Sequence, residues 1–489
     1  MNAEPIDAVA AVVSEYGIAG RRLRELIARL TESTATLDDL VRDFAVPRRT
    51  VEALLRAAGP DVHAEAGRFT IVSSMRQRYR ACFGADALHH DPEVPDMAGL
   101  VAAAPAADQE LDHVSATAET AERRARWLAT TYDLAGAHLV CIGDHDLTSL
   151  AVRRAVPGLR VSVVDVDERL LAYIDAQRAG IACYSADLRF GLPPVLAGSA
   201  DLIFSDPPYT PEGVQLFLGR GAQALRDRTN GRLVMAYGFS PLTPALGLKV
   251  QRALLDLDLV IEAMLPAFNR YHGAQAVGSA SDLYACRPTS GTWQVLDRRL
   301  DRLAGSANIY THGGRSLEGT AARGPARVLG GGPLAADEVS LDLTADPGPW
   351  LARVLLALNA PAVTLLVANN HPDLRDEPSQ AALRALVAAK YDLSLRRSTP
   401  GPRQATVEAT RRPAPGPADV AGWLLTHAHG KVGNVLRDAL LRADPTLARS
   451  AARTRAEALA ARPEHLDARL LDLPRHAIVT LLTAGQAIR

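Results

Sequence analysis

The chain has 489 residues, 48% of them hydrophobic, with 54 basic and 55 acidic side chains and a formal net charge of -1. That length supports about three domains with buried cores, and the balanced composition excludes a wholly disordered chain and a general polyanion binder. Only Lys249, Lys390 and Lys431 among the basic residues are lysine, an Arg bias that reads as codon usage and carries no functional weight.

The first 75 residues read as short helices followed by a hairpin. AVAAVVSEYG and RRLRELIARL have helical spacing. Thr36 with Asp39 three residues on is an N-cap signature opening LDDLVRDF, Arg48 to Ala58 is a further helix, and GRFTIV is a strand. This is a winged-helix pattern. Nine Arg against eleven Asp and Glu in residues 1–75 oppose DNA binding, which draws on a basic surface; packing or dimerisation is expected instead. Residues 76–130 form a helical linker into a catalytic unit. Across residues 131–300, strand-like runs (AHLVCI, RVSVVDV, IACYSA, ADLIFS, RLVMAYG, LVIEAML, SDLYACR) alternate with helical stretches. That alternation predicts an α/β fold, a doubly wound and largely parallel sheet, with the last two runs antiparallel at an edge. Residues 301–337 are a Gly-rich connector, 338–412 a small α/β domain, and 413–489 a Pro-rich linker and helical tail. Cys141, Cys183 and Cys286 fall in apolar strand runs; with Cys82 they are expected to be reduced thiols of a cytoplasmic protein. The first residues lack a signal-peptide pattern, and no apolar run is long enough for a membrane span.

In an open α/β sheet, ligands bind beyond the carboxyl ends of the strands. The first such turn is Gly143-Asp144-His145-Asp146: Gly143 permits close approach, and two carboxylates repel a pyrophosphate and attract a cation. Helix capping by Asp144 and Asp146 is the plainer alternative. Asp165 and Asp167 end the second strand, with Asp165 22 positions past Gly143, the spacing of a ribose-binding acid. Asp187 follows the third strand, where a carboxylate can accept from an adenine amine or simply sit in a surface turn. Asp206-Pro207-Pro208-Tyr209 closes the fourth. Two prolines stiffen that turn and remove donors, so the Asp206 carboxylate and the Pro207 carbonyl present acceptors that orient an amine nucleophile, and Tyr209 can stack or close the pocket. The set describes an adenosyl-sulfonium site beside an amine site.

Asp206-Pro-Pro-Tyr209 by itself resembles the amino methyltransferases of nucleic acids. CIGDHDLTSLA, VVDVDERLL, FSDPPYT and FNRYHGAQAVGSASDLYACRP together, with LDHVSATAETAERRARWL before them, resemble the branched-chain polyamine synthases, the bis(aminopropyl)spermidine synthase family, over about residues 1–320. The resemblance implies an N-terminal winged helix, a catalytic domain built on a Rossmann-like (methyltransferase-like) doubly wound sheet, and aminopropyl transfer from decarboxylated S-adenosylmethionine to the central amine of spermidine, releasing methylthioadenosine. It places Asp144, Asp146 and Asp206 at the acceptor, with Asp206 and Asp144 catalytic and His145, Pro207 and Tyr209 beside them, and gives Gly143, Asp165, Asp167 and Asp187 to the nucleoside. His145 stands where the family has a further Asp, and the region from about 338 on lies outside the resemblance. S-adenosylmethionine as donor of a methyl or 3-amino-3-carboxypropyl group, to nucleic acid or a small molecule, is the alternative. No metal is expected: His427 and His429 at i, i+2 do not share a helix face, and His89-His90 reads as a solvated pair. The expected partner is a small spermidine-like amine, with a homodimer formed through the N-terminal domain and neither nucleic acid nor membrane bound.

Overall fold

A computed structural model describes residues 4–88, 92–303, 309–310, 323–334, 336–460 and 462–487. The His89-His90 pair and most of the Gly-rich connector lie outside these residues. Near the N-terminus, β1 (Ala35–Thr36), β2 (Val62–Glu65) and β3 (Arg68–Ile71) form a small antiparallel sheet in the order β1-β3-β2. It packs with the helices Pro5–Ser14, Arg21–Glu32, Leu37–Phe44 and Arg48–Ala58. The capping box read from Thr36 and Asp39 is present: Asp39 N–H donates to Thr36 Oγ1 and Thr36 N–H to Asp39 Oδ2, each at 3.1 Å.

The central sheet has seven strands: β4 (His138–Ile142), β5 (Arg160–Asp165), β6 (Ile181–Ser185), β7 (Leu202–Ser205), β8 (Arg232–Tyr237), β9 (Leu259–Arg270) and β10 (Ala280–Pro288). Their order is β6-β5-β4-β7-β8-β10-β9. The first five are parallel, and β10 runs antiparallel to both neighbours. Strands β4, β6, β7 and β8 are buried along their whole length, which is why they read as continuous apolar runs rather than alternating ones. Chain order reverses between β4 and β7, so the crevice of a doubly wound sheet lies between the turns that follow them. Ser205 Oγ on β7 donates to the Ile142 carbonyl on β4 at 2.7 Å, fixing the two strand ends together. The antiparallel pair expected from the last two runs is present, but β10 inserts between β8 and β9 and leaves β9 at the edge.

The C-terminal third adds a four-stranded sheet of β11 (Glu338–Leu343), β12 (Ala362–Ala368), β13 (Tyr391–Arg397) and β14 (Gln404–Arg411), ordered β11-β12-β14-β13. The helices Val420–Thr426, Val432–Ala443, Arg449–Leu459 and Arg475–Gln486 follow. The connection between β11 and β12 is the helix Trp350–Ala357, buried at every residue. A helix buried on all sides must be covered on all sides, and here part of the cover is Phe190, in the segment after β6, whose ring lies 4.9 Å from that of Trp350. One hydrophobic cluster runs from Leu188, Val214 and Phe217 through Trp350 and Leu355 to Leu436 and Leu481. The C-terminal third therefore shares a core with the central sheet.

Lys390 is fully buried, and its Nζ donates to the Leu356 carbonyl at 2.5 Å and the Leu425 carbonyl at 2.9 Å. Both carbonyls belong to last helical turns, where intrahelical partners are missing. Burial holds this amine well below the usual lysine range. Lys390→Met keeps the volume but leaves two buried acceptors unpaired, and is expected to cost about 2–4 kcal/mol, read as a lower midpoint in urea unfolding.

Candidate active site at the strand-end crevice

A cavity of about 580 Å³ opens beyond the carboxyl ends of β4, β5, β6 and β7. Its floor includes Gly143, Asp144, His145, Asp146, Asp165, Val166, Asp206, Pro207 and Tyr209. Two loops roof it, residues 109–115 and 271–277, joined by the His272 N–H to Ser115 carbonyl bond at 2.8 Å and the Thr117 N–H to Arg270 carbonyl bond at 2.9 Å. Gly143 has φ of 71°, a left-handed conformation that favours glycine. A Cβ there would stand 3.4 Å from the Phe217 ring and 4.0 Å from Asp165 Oδ2, so the missing side chain leaves a cradle beside the Asp165 carboxylate. Leu147, with φ of 57°, is a non-glycine residue held in the same region, a form of strain that clusters at functional turns.

The six strand-end carboxylates do not all face this cavity. Asp144, Asp146, Asp165 and Asp206 line it; Asp167 and Asp187 do not. Asp167 caps the helix Glu168–Ala176, accepting from Arg169 N–H at 2.9 Å and from the Arg169 guanidinium at 2.7 Å. Asp187 is paired with Arg189 and accepts from Trp350 Nε1 at 2.9 Å. Both carboxylates are turned away by these stronger, charge-assisted partners. Asp165 lines the cavity but already accepts from Asp144 N–H at 3.1 Å and Asp167 N–H at 2.8 Å; burial raises its carboxyl to about 6. Asp144 accepts from Ser149 N–H at 3.1 Å and from Ser149 Oγ, so at this turn capping accounts for one of the two acids. Burial raises Asp144 to about 8, against the pull of the Ser149 bonds.

The Asp146–Asp206 end of the crevice is organised by a residue the motifs did not single out. Arg124, on the helix Ala118–Thr131, is 0% exposed. Its Nη1 donates to Asp146 Oδ2 at 2.7 Å, its Nη2 to Asp206 Oδ2 at 2.8 Å, and its Nε to Asn269 Oδ1 at 2.7 Å. Tyr271 O–H also donates to Asp206 Oδ2 at 2.7 Å, and Tyr209 O–H reaches Tyr271 at 3.2 Å. Burial opposes ionisation of both acids, but the two part company. Arg124 holds Asp146 below the usual carboxylate range, whereas burial and then the Asp146 charge push Asp206 well above it. Two carboxyls at one buried cation are thus held apart in acidity, Asp206 as the weaker acid of the two.

His145 stacks on His113, with ring centroids 4.5 Å apart and planes 14° from parallel. Its Nε2 lies 3.1 Å from Ser115 Oγ. Burial lowers both imidazoles, and their mutual repulsion lowers His145 further. The pair is neutral at neutral pH and pins the roof loop to the β4 turn. Residues Arg124, His113 and Tyr271 were missed as site residues. The signal for Arg124 was its place on a helix stripe with Thr120, Ala121, Ala125 and Leu128, all buried. Elsewhere, His427 stacks on Trp423 and His429 Nε2 lies 3.1 Å from the Ala357 carbonyl.

Arg124→Met is expected to destabilise the fold by about 3–5 kcal/mol by leaving buried carboxyls without their cation. Those carboxyls then titrate above their unfolded values. The loss is therefore largest at high pH and shrinks as acid protonates them, which pairs of urea titrations across pH will read.

Residues 96–287 match the family described as Branched-chain polyamine synthase A C-terminal domain. An uncharacterized protein of Methanocaldococcus jannaschii is 35% identical over 181 residues, 36% of this chain and 45% of that protein. The N(4)-bis(aminopropyl)spermidine synthase of Thermococcus kodakarensis is 31% identical over 170 residues, 33% of this chain and 48% of that one. A crystal structure of the branched-chain polyamine synthase from Thermus thermophilus, with N4-aminopropylspermidine and 5'-methylthioadenosine, aligns at 22% identity and TM-score 0.35, covering 59% of this chain and 93% of that chain. The chain spans about half the length of the curated relatives it matches. Across residues 96–287 it resembles the branched-chain polyamine synthases, and the C-terminal third lies outside the matched family region.

Proposed function

We propose that the chain transfers an aminopropyl group from decarboxylated S-adenosylmethionine to an amine of a polyamine or similar small cation, releasing methylthioadenosine. The observation that carries this reading is the junction at Asp206. One continuous cavity joins the Gly143–Asp165 cradle to the Asp206 carboxyl in a donor-poor Asp-Pro-Pro-Tyr turn. Gly143 and Asp165 take the nucleoside in this reading. Pro207 carbonyl and Asp206 take the N–H groups of the acceptor, and Tyr209 with Tyr271 closes that end. The amine lone pair forms a bond to the carbon beside sulfur, the carbon–sulfur pair goes to the sulfonium, and Asp206 in its carboxylate form takes the amine proton. Asp144 and Asp146 hold the geometry of the turn and the charge beside it. His145 and His113 place neutral rings where the family has a further acid, so the acceptor end attracts cations less strongly than the motif alone implies.

The match to a polyamine synthase domain over residues 96–287 supports the same reading. In it, residues 1–75 are a winged-helix domain used for packing or homodimerisation, 76–130 a helical linker, 131–300 the catalytic domain, 301–337 a connector, and 338–412 and 413–489 appended pieces. The protein acts in the cytoplasm, where polyamines and the adenosyl donor are made. Among the described residues no helix is long and apolar enough to cross a membrane.

Incubation with decarboxylated S-adenosylmethionine and spermidine is expected to yield methylthioadenosine and a branched polyamine. Release of S-adenosylhomocysteine from intact S-adenosylmethionine, without methylthioadenosine, would instead establish methyl transfer. Asp206→Asn is expected to lower kcat by about 10²-fold or more while methylthioadenosine affinity, read by calorimetry, stays within about threefold.

The pH profile follows from the raised Asp206 carboxyl. Its base form is gained as pH rises through its shifted value, and the amine nucleophile loses its proton in the same direction. The rate constant kcat/KM is therefore expected to climb as pH rises; an acid optimum would remove Asp206 as the base.

A further inference from the structure

The C-terminal third has no assigned role, yet its contacts with the catalytic sheet fall in one place. The helix Glu168–Ala176 begins directly after the Asp165-Val166-Asp167 turn, and it is gripped at both ends. At its N-terminus, Glu168 Oε1 pairs with Arg353 Nη2, and Glu168 Oε2 accepts from the Arg475 N–H at 2.8 Å. At its C-terminal end, Asp175 pairs with Arg462 and with His476 Nε2 at 3.1 Å. Arg353 is itself buried and also donates to the Leu471 carbonyl at 2.8 Å, which locks the tail onto the same guanidinium. Three elements of the C-terminal third thus converge on one helix.

The next strand end is held by the same buried helix. Trp350 Nε1 donates to Asp187 in the turn after β6, three residues from Arg353 in the helix Trp350–Ala357. That turn meets the one after β5 through the Ala186 N–H to Asp165 carbonyl bond at 3.0 Å. Asp165 in turn accepts from the Asp167 N–H, whose residue adjoins Glu168. A displacement of Glu168 or Asp187 therefore passes through one or two hydrogen bonds to the Asp165 carboxylate at the cavity wall. The amine end, built on Arg124, Asp146, Asp206 and Tyr271, makes no such bond to residues beyond 338 among the described residues.

We propose that Arg353 and Trp350 are positioning residues for the donor nucleoside: the C-terminal third fixes the turns after β5 and β6, and so sets donor affinity without touching the donor. This deepens, and rests on, the aminopropyl-transfer reading. A buried pair that orders a binding turn acts as a coupling term on one ligand alone.

The test is calorimetric binding of 5'-methylthioadenosine to the full chain, alongside the KM for spermidine. Arg353→Ala is expected to weaken methylthioadenosine about tenfold and leave the spermidine KM within about twofold. Arg353→Lys, which keeps a cation near Glu168, is expected to recover most of that affinity. Should Arg353→Ala fail to fold, Glu168→Gln is the deciding variant: it discharges the pair while still accepting from the Arg475 N–H, and the same selective loss is expected. Methylthioadenosine affinity unchanged in folded variants, or a loss shared equally by nucleoside and amine, overturns the positioning role alone. Failure of the unsubstituted chain to bind methylthioadenosine overturns the aminopropyl-transfer reading and the positioning role with it.

Discussion

The chemistry available at the crevice is governed by one desolvated guanidinium. Arg124 donates to Asp146 and Asp206 at once, with Asn269, Thr148 and Tyr271 filling its remaining donors. Burying this cation without acids would cost several kcal/mol, and burying the acids without it would cost as much. Neither arrangement is stable alone, so the helix Ala118–Thr131, the β4 turn and the β7 turn are bound to one another by a shared charge balance. One cation against two carboxyls also leaves them unequal: Asp206, raised by burial and by the Asp146 charge, binds a proton more readily than a free surface aspartate does.

The remaining acids divide between scaffold and site. Asp144 and Asp167 spend oxygens on helix starts, Asp165 on two backbone N–H groups of adjoining turns, and Asp187 on an arginine and an indole. A carboxylate that accepts two backbone donors orders its turn even before a ligand arrives, which is how preorganised sites avoid reorganisation on binding. It has fewer lone pairs left for a ligand. The crevice is accordingly less anionic than a count of its aspartates implies, and His145 with His113 adds neutral surface where a third acid would have stood.

The parallel strands were legible because burial on both faces leaves long apolar runs, and the turns were legible because their glycine, aspartates and prolines fall at strand ends. The order of β9 and β10 was not legible, since two adjacent antiparallel runs can pair in either arrangement with the strand beside them. Hydrogen-bond partners were likewise hidden. Asp187 and Asp165 look alike in sequence, and only Arg189 and Trp350, the latter 163 residues away, separate them. Arg124 was readable in principle: a charged residue inside an apolar helical stripe requires a buried partner. The sequence names the need and not the partner, because Asp146 and Asp206 lie 22 and 82 residues further on.

The two ends of the crevice also differ in what supports them. Arg124, Asp146, Asp206, Asn269 and Tyr271 all lie within residues 96–287, the span that matches a polyamine synthase domain. That end is self-contained: its bonds join four segments of one domain. The Gly143–Asp165 end leans outward, with the helix after β5 clamped through Glu168 and Asp175 and the turn after β6 held by Trp350. The shared hydrophobic core is what makes the outward support rigid, because a helix buried at every residue cannot shift without moving both sheets. An appended module with its own core would add mass beside the site. One that shares a core is tied to it, and here the ties fall on the turns after β5 and β6 and not on the Arg124 cluster.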